Sequence, residues 1–213
     1  FLDIERIEVL KGPQGVLFGK NTIAGALNIT TRKPTEEFEA SVEGQYFDGD
    51  DSYGGTAVVS GPLTDSIRGR LVVKYNEAGG YIENLATGDD DPEVEETVFR
   101  GSLAWDLSER LTLDLNGEVS SYDVDGRHLQ MVEGGRFTEL FESVDPNYEI
   151  DLDDRRSANN PVFGRDFDNT DAMNFTATLN YDFDSARLVS ITAYSGYEYD
   201  NNIPASWVAN LDT

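Results

Sequence analysis

The sequence predicts an all-β membrane protein: part of an antiparallel transmembrane β-barrel, about seven strands of it. Three observations carry this. Polar and apolar residues alternate in segments of about ten, long enough to cross a bilayer as tilted strands. The connections fall into tight turns at one end and long acidic loops at the other, the asymmetry of outer-membrane barrels. Aromatic residues gather near both ends, where a ring can straddle oil and water.

Each strand rests on a period of two, because successive side chains point to opposite faces. The first, 37–47, sets Phe38, Ala40, Val42, Gly44 and Tyr46 on one face, and the second, 52–62, sets Tyr53, Gly55, Ala57, Val59 and Gly61. The third, 66–76, opposes Ile67, Gly69, Leu71, Val73 and Tyr75 to Arg68, Arg70, Lys74 and Asn76. The fourth, 96–106, carries Phe99, Gly101, Leu103 and Trp105. In the fifth, Leu111, Leu113, Leu115, Gly117 and Val119 interleave with Thr112, Asp114, Asn116 and Glu118. In the sixth, Phe175, Ala177, Leu179, Tyr181 and Phe183 interleave with Asn174, Thr176, Thr178 and Asn180. The seventh, 187–199, offers Val189, Ile191, Ala193 and Tyr197 as its apolar side. Each apolar side is expected to face hydrocarbon and each polar side an interior.

Gly61 to Asp65, Asp106 to Glu109 and Asp184 to Ala186 read as tight turns, whereas 77–95, 123–172 and the tail from Asn201 are long or open-ended. Only the hairpin through Asp48, Gly49, Asp50 and Asp51 has a short connection on the long-loop side. Tyr46, Phe47, Tyr53, Tyr75, Tyr81, Tyr122, Tyr197 and Tyr199 are expected near the loop end, and Trp105, Tyr181 and Phe183 near the turn end.

The net charge is −25, with 16 Lys plus Arg against 41 Asp plus Glu. Such a surface speaks against nucleic acid, which needs clustered cations. A hydrophobic content of 38% with a mean hydropathy of −0.45 hides a barrel, since only alternate strand residues must be apolar. No run approaches a transmembrane helix. With 0 Cys, disulfides, thiolate metal sites and cysteine nucleophiles are excluded. The chain opens at Phe1 without a signal-peptide pattern and stops in a loop-like stretch, so it reads as a fragment that lacks any targeting signal.

Before the long strands lies a compact unit punctuated by glycine. Ile4 to Lys11 reads as a short strand ended by Gly12 and Pro13. Gln14 to Phe18 can form one helical turn, and Ala24 to Thr31 forms a second strand closed by Arg32, Lys33 and Pro34. The texture changes from Glu36 onward, which divides the chain into residues 1–34 and 35–213.

Residues 4–34, from Ile4, Glu5, Arg6 and Ile7 through Gly15 to Lys20 and Ile23 to Pro34, closely resemble the end of the plug domain of TonB-dependent outer-membrane receptors. Residues 36–200 resemble the barrel strands that follow such plugs. The resemblance implies a small α+β plug, here only its C-terminal part, inside a barrel of about twenty-two strands. It implies capture of a scarce nutrient, with a ferric siderophore as the default cargo, and import driven by TonB. It also implies a setting in the outer membrane of a Gram-negative bacterium, beside lipopolysaccharide. The TonB-contacting box, the first half of the plug and most of the barrel are missing from the pattern. An isolated open sheet leaves two unpaired edges, so this chain alone is not expected to insert stably.

Other chemistry finds little support. The glycines at 12, 15, 19 and 25 fit neither a phosphate loop nor a dinucleotide fingerprint. The acidic groups at 48–51, 89–91 and 151–154 lack EF-hand spacing and read as solvated loops, with cation bridging to lipopolysaccharide phosphates as a weaker alternative. His128 is the only histidine and has no partner at zinc-site spacing. No catalytic residue, metal site or cofactor is expected. The segment Arg136 to Val144 has Phe137, Leu140, Phe141 and Val144 at helical spacing.

The candidate site residues are the cations. Arg68, Arg70, Lys74 and Arg100 stand on the polar faces of the third and fourth strands in an otherwise acidic protein. They either meet an anionic ferric chelate or hold plug carboxylates such as Glu5 and Glu8, and the second is favoured because buried charges need partners. Arg6 and Arg32 are expected to pair the other way, to Glu43 or Glu118. Two rival readings stay open: a passive porin-like barrel, against which residues 4–34 speak, and a soluble calcium-dependent β-rich adhesin or carbohydrate-binding module.

Overall fold

The computed structural model describes residues 2–13, 24–84, 90–126 and 166–202, with isolated positions 15, 22, 88, 136, 139, 143, 157 and 158 besides. Strands β1 (Ile4–Lys11) and β2 (Gly25–Thr31) form an antiparallel hairpin. Then come β3 (Glu39–Phe47), β4 (Ser52–Pro62), β5 (Ile67–Ala78), β6 (Ile82–Asn84), β7 (Asp90–Asp91), β8 (Glu93–Ser108), β9 (Leu111–Asp125), β10 (Ser157–Ala158), β11 (Phe167–Asp182) and β12 (Arg187–Asn202). The seven long strands make one antiparallel sheet in the order β12-β11-β9-β8-β5-β4-β3, so each pairs with its neighbour in sequence. The sheet does not close: β3 and β12 are its edges among the described residues. The short β6, β7 and β10 form a separate sheet at the loop end.

Pairing aligns the apolar rows from strand to strand. Val59 lies opposite Leu71, Leu71 opposite Gly101, Gly101 opposite Gly117, Gly117 opposite Phe175, and Phe175 opposite Tyr194. Cross-strand partners share a face, so these residues form one continuous apolar surface. Nothing covers it among the described residues: Val42 is 86% exposed, and Leu71, Phe99, Val119 and Phe175 are also exposed. A water-soluble domain would bury such a surface under a second layer. A bilayer covers it instead.

The other face carries the polar row Ser60, Arg70, Ser102, Asn116 and Thr176. The β1–β2 hairpin is attached to this face, which is called the inner face below.

The turns set this register. Leu63 and Thr64 donate backbone N–H groups to the Ile67 carbonyl at 2.8 and 3.1 Å, and Phe183 donates to Ala186 at 2.8 Å. At Gly61 the backbone has φ +154, and an added Cβ would stand 2.9 Å from Cα of Phe38, where the chain enters β3. Gly61→Val should therefore destabilise the full protein by about 1–3 kcal/mol, read as a lower midpoint in denaturant. An unchanged midpoint would show that β3 and β4 relax apart freely.

One predicted face is wrong. The register places Val189, Ile191, Ala193 and Tyr197 opposite Asn180, Thr178, Thr176 and Ala172, on the inner face. The β12 residues on the apolar face are Leu188, Ser190, Thr192 and Tyr194. Both parities of β12 carry apolar side chains, so periodicity cannot choose between them; the tight turn after Asp182, which pairs it with Arg187, does. Tyr197 and Tyr199 of β12, and Tyr122 by its even position in β9, leave the membrane-facing aromatic set. Tyr122 pairs with Glu96 and Thr170, and Thr170 with Tyr199, all on the inner face.

Tyr46, Tyr53 and Tyr75 remain on the apolar face at the loop end. Tyr46 donates to Asp51 at 3.0 Å, Tyr75 donates to Glu77 at 2.6 Å, and Tyr53 also donates to Glu77. At the turn end Tyr181 and Phe183 meet edge-on at 4.5 Å. The strands run further than predicted on the loop side, to Ala78 in β5 and Asp125 in β9, so the loops are shorter. The predicted helical turn at 14–18 and the helix at 136–144 fall almost wholly outside the described residues.

Candidate functional site

The inner face near the turn end is where four charged strands and the hairpin meet. Arg70, at mid-sheet in β5, keeps only 3% of its side chain exposed, and Asp3, just before β1, keeps 7%. Arg70 Nε and Nη2 donate to the two carboxylate oxygens of Asp3 at 2.7 and 2.6 Å. Its Nη1 donates to Glu39 of β3 at 2.5 Å. This fork-to-fork geometry is available to Arg and not to Lys. Asp3 itself sits at φ 50, a left-handed conformation that Asp tolerates better than most residues.

Arg100 makes the second attachment. It donates from Nη1 to the Leu2 carbonyl at 2.7 Å and from Nε to Glu118 at 2.6 Å. The chain leaving β2 is tied down beside it. Arg32 donates its backbone N–H to the Asp3 carbonyl at 3.0 Å, closing the base of the hairpin, and Lys33 reaches Asp114 at 3.5 Å. Thr35 then donates its N–H and its hydroxyl to Ser60 Oγ at 2.9 and 2.8 Å.

The remaining predicted cations are placed as follows. Arg68 is paired with Glu36 and, at 2.9 Å, with Asp106. Lys74 is paired with Glu96 at 2.5 Å, nearer the loop end. Arg6 stays within β1, bonded to Glu8 at 3.2 Å and Glu5 at 3.5 Å, and Arg32 Nε donates to the Ile4 carbonyl at 3.4 Å. Neither reaches Glu43 or Glu118, because Glu118 is already held by Arg100. Nor are Glu5 and Glu8 paired with the sheet's cations: both are bonded to Arg6. Glu8 is held below the usual carboxylate range first by the Asn28 amide at 2.6 Å and then by Arg6. That preference favours the hairpin above the ordinary carboxylate pKa and fades on acidification.

Sequence reasoning found the cations but missed their partners, Asp3, Glu39 and the Leu2 carbonyl. Asp3 is one of 41 carboxylates, and only the fold brings it to Arg70.

At the loop end the inner face is richer in phenols and carboxamides. Gln45 donates to Asn76 at 2.8 Å, Tyr199 donates to Asp168 at 3.1 Å, and Asn201 donates to Tyr199 at 3.1 Å. Tyr197 is 79% exposed here, and Tyr122 and Tyr199 are also exposed. No group of His, Cys, Asp or Glu that could hold a metal ion occurs among the described residues.

No protein-family model matches the chain. The sequence is 32% identical over 127 residues to the ferripyoverdine receptor of Pseudomonas aeruginosa, covering 57% of this chain and 14% of that protein. It is 30% identical over 156 residues to the ferrioxamine B receptor of Salmonella typhimurium, covering 68% of this chain and 21% of that protein. The chain thus spans about a fifth or less of these curated relatives. The fold matches the ferric yersiniabactin uptake receptor of Yersinia pestis with a TM-score of 0.75 at 20% identity, over 96% of this chain and 30% of that one. It also matches the outer-membrane ferripyoverdine receptor of Pseudomonas aeruginosa bound to ferripyoverdine, with a TM-score of 0.63 at 25% identity, over 85% of this chain and 22% of that one. These relatives are receptors, not enzymes. On sequence and fold together, the chain is a partial member of the TonB-dependent outer-membrane receptor family of Gram-negative bacteria, and its seven long strands are part of the barrel.

Proposed function

We propose that residues 1–34 are the end of a plug and residues 35–213 the first part of the barrel of a receptor that captures a ferric siderophore and imports it with energy delivered by TonB. The observation that carries this reading is the buried Asp3–Arg70 seat, which fastens the hairpin to the polar face of a sheet whose other face is apolar. A passive porin has no use for a hairpin anchored on its inner face. A soluble module would not leave the opposite face bare. In this reading Arg70 and Arg100 serve the plug–barrel seam rather than the cargo, Arg68 joins Glu36 to Asp106 within the barrel part, and Arg6 and Arg32 stiffen the hairpin.

The names of the ferripyoverdine and ferrioxamine B receptors support a ferric siderophore as the cargo. The test is uptake of radiolabelled ferric siderophores by cells that carry the full-length protein as their only siderophore receptor, with TonB present or deleted. Saturable uptake that needs TonB is expected, with surface binding retained in its absence. Non-saturable, TonB-independent entry would favour the porin, and recovery of the protein in the soluble fraction would favour the module.

A further inference from the structure

Resting on the receptor reading above, we infer that Glu39 and Glu118 are counter-ions that ease release of the hairpin: each keeps a wall arginine paired when the hairpin leaves. The inference comes from how the seat divides its hydrogen bonds. Arg70 gives Nε and Nη2 to Asp3, at the base of the hairpin, but Nη1 to Glu39 of β3. Arg100 gives Nε and Nη2 to Glu118 of β9, and only Nη1 to the hairpin, at the Leu2 carbonyl. The register fixes both arrangements. Glu118 stands directly opposite Arg100, and Glu39 stands in one cross-strand row with Ser60 and Arg70. Each arginine that grips the base of the hairpin therefore has a carboxylate of its own sheet beside it.

Two carboxylates on one guanidinium repel each other, so Glu39 weakens the hold of Arg70 on Asp3. Once the hairpin moves off, Glu39 and Glu118 stay on the wall, and neither arginine becomes a bare charge. Breaking a buried pair is unfavourable mainly because it leaves an uncompensated charge behind. At this buried seat the one charge that loses its partner is Asp3, whose carboxylate has no other bond among the described residues. The remaining ties are weaker. Thr35 to Ser60 is neutral, and Lys33 reaches Asp114 at 3.5 Å with most of its own side chain exposed.

A purely structural role for these carboxylates predicts the opposite sign. If Glu39 served to aim Arg70 at Asp3, removing its charge would loosen the hairpin; as a counter-ion for release, removing its charge tightens the hold. Gln keeps the size of Glu and an acceptor oxygen, so Glu39→Gln and Glu118→Gln take away charge while sparing the hydrogen bonds. The pair of Lys74 with Glu96 supplies a control. It lies on the same face and, among the described residues, is bonded to none of residues 1–34.

The test is single-molecule pulling on the full-length receptor in a supported bilayer, without cargo, through a handle at its N-terminus. The quantity recorded is the lifetime of the seated residues 1–34 at constant force. Glu39→Gln and Glu118→Gln should each lengthen it by about three- to tenfold, more at Glu39 because that residue competes with a charge. The double variant should exceed either alone, and Glu96→Gln should leave the lifetime unchanged. In an Asp3→Asn background the effect of Glu39→Gln should vanish or reverse, since the repulsion it relieves is gone. Lifetimes shortened or unchanged by either seat substitution, lengthened as much by Glu96→Gln, or still lengthened by Glu39→Gln in the Asp3→Asn background, would overturn the inference while leaving the receptor reading intact. A parent whose residues 1–34 never part from the wall before the barrel itself unfolds would overturn both.

Discussion

Arg70→Glu in the full-length receptor is expected to unseat the hairpin. The substitution removes the fork that grips both oxygens of Asp3 and sets the new carboxylate against the buried Asp3, with the half-exposed Glu39 beside it. Loss of one partner from a buried, hydrogen-bonded pair costs about 3–5 kcal/mol, and like charges add to that. The hairpin is held at its base and exposes Ile7, Val9, Leu27 and Ile29 elsewhere, so this seat supplies much of what keeps it on the wall. The expected signs are faster proteolysis within residues 4–34, passage of small polar solutes through the barrel and reduced uptake. Arg70→Lys keeps the charge without the fork and should lie between the parent and Arg70→Glu. The pair Asp3→Asn with Arg70→Gln leaves no buried charge on either side of the seat and should recover part of the loss, as a double-mutant cycle would report. Unchanged proteolysis, leakage and uptake in Arg70→Glu would mean that the pair fastens nothing.

The second large effect concerns the opposite face. Leu115 lies at the centre of the apolar stretch of β9, between Leu103 and Ala177, and its neighbour Asn116 points inward between Ser102 and Thr176. An arginine on the lipid side of a barrel strand at the midplane costs about 2–4 kcal/mol. Leu115→Arg should therefore lower the stability of the receptor in lipid vesicles by that amount, measured by reversible denaturant titration. Asn116→Arg, one residue away, should cost far less because its side chain enters a polar interior. Equal losses at the two positions would remove the distinction between the faces on which the fold is interpreted.

These two residues also show what is legible in a strand sequence. In the long strands from β3 to β11 one parity is predominantly apolar and the other mostly polar, with exceptions such as Val58, Val72 and Val98 on the inner face. The face toward lipid can therefore be read directly, and the second strand, expected at 52–62, coincides with Ser52–Pro62. In β12 both parities are apolar, and the choice passes to the turn, whose geometry no hydropathy pattern contains. The two- and three-residue strands β6, β7 and β10 are too short to show a period at all. The cations of the candidate site stood out because Lys and Arg number only 16. Their partners did not, since Asp3 and Arg70 are 67 positions apart and meet only when the hairpin folds back on the sheet. The phenols of Tyr122, Tyr197 and Tyr199 were visible as aromatics near strand ends, but which side of the wall they occupy depends on the register.

The central claim is that one face of this sheet meets hydrocarbon and the other holds the hairpin. It is tested most directly by placing single nitroxide labels along 111–119 and 188–197 in the full-length receptor in its native membrane, and measuring relaxation by oxygen and by a water-soluble nickel chelate. Labels at Leu111, Leu113, Leu115 and Val119, and at Leu188, Ser190 and Tyr194, should respond to oxygen, whereas those at Asn116, Glu118, Ile191 and Tyr197 should not. A reversed pattern, or one with no period of two, would contradict the account.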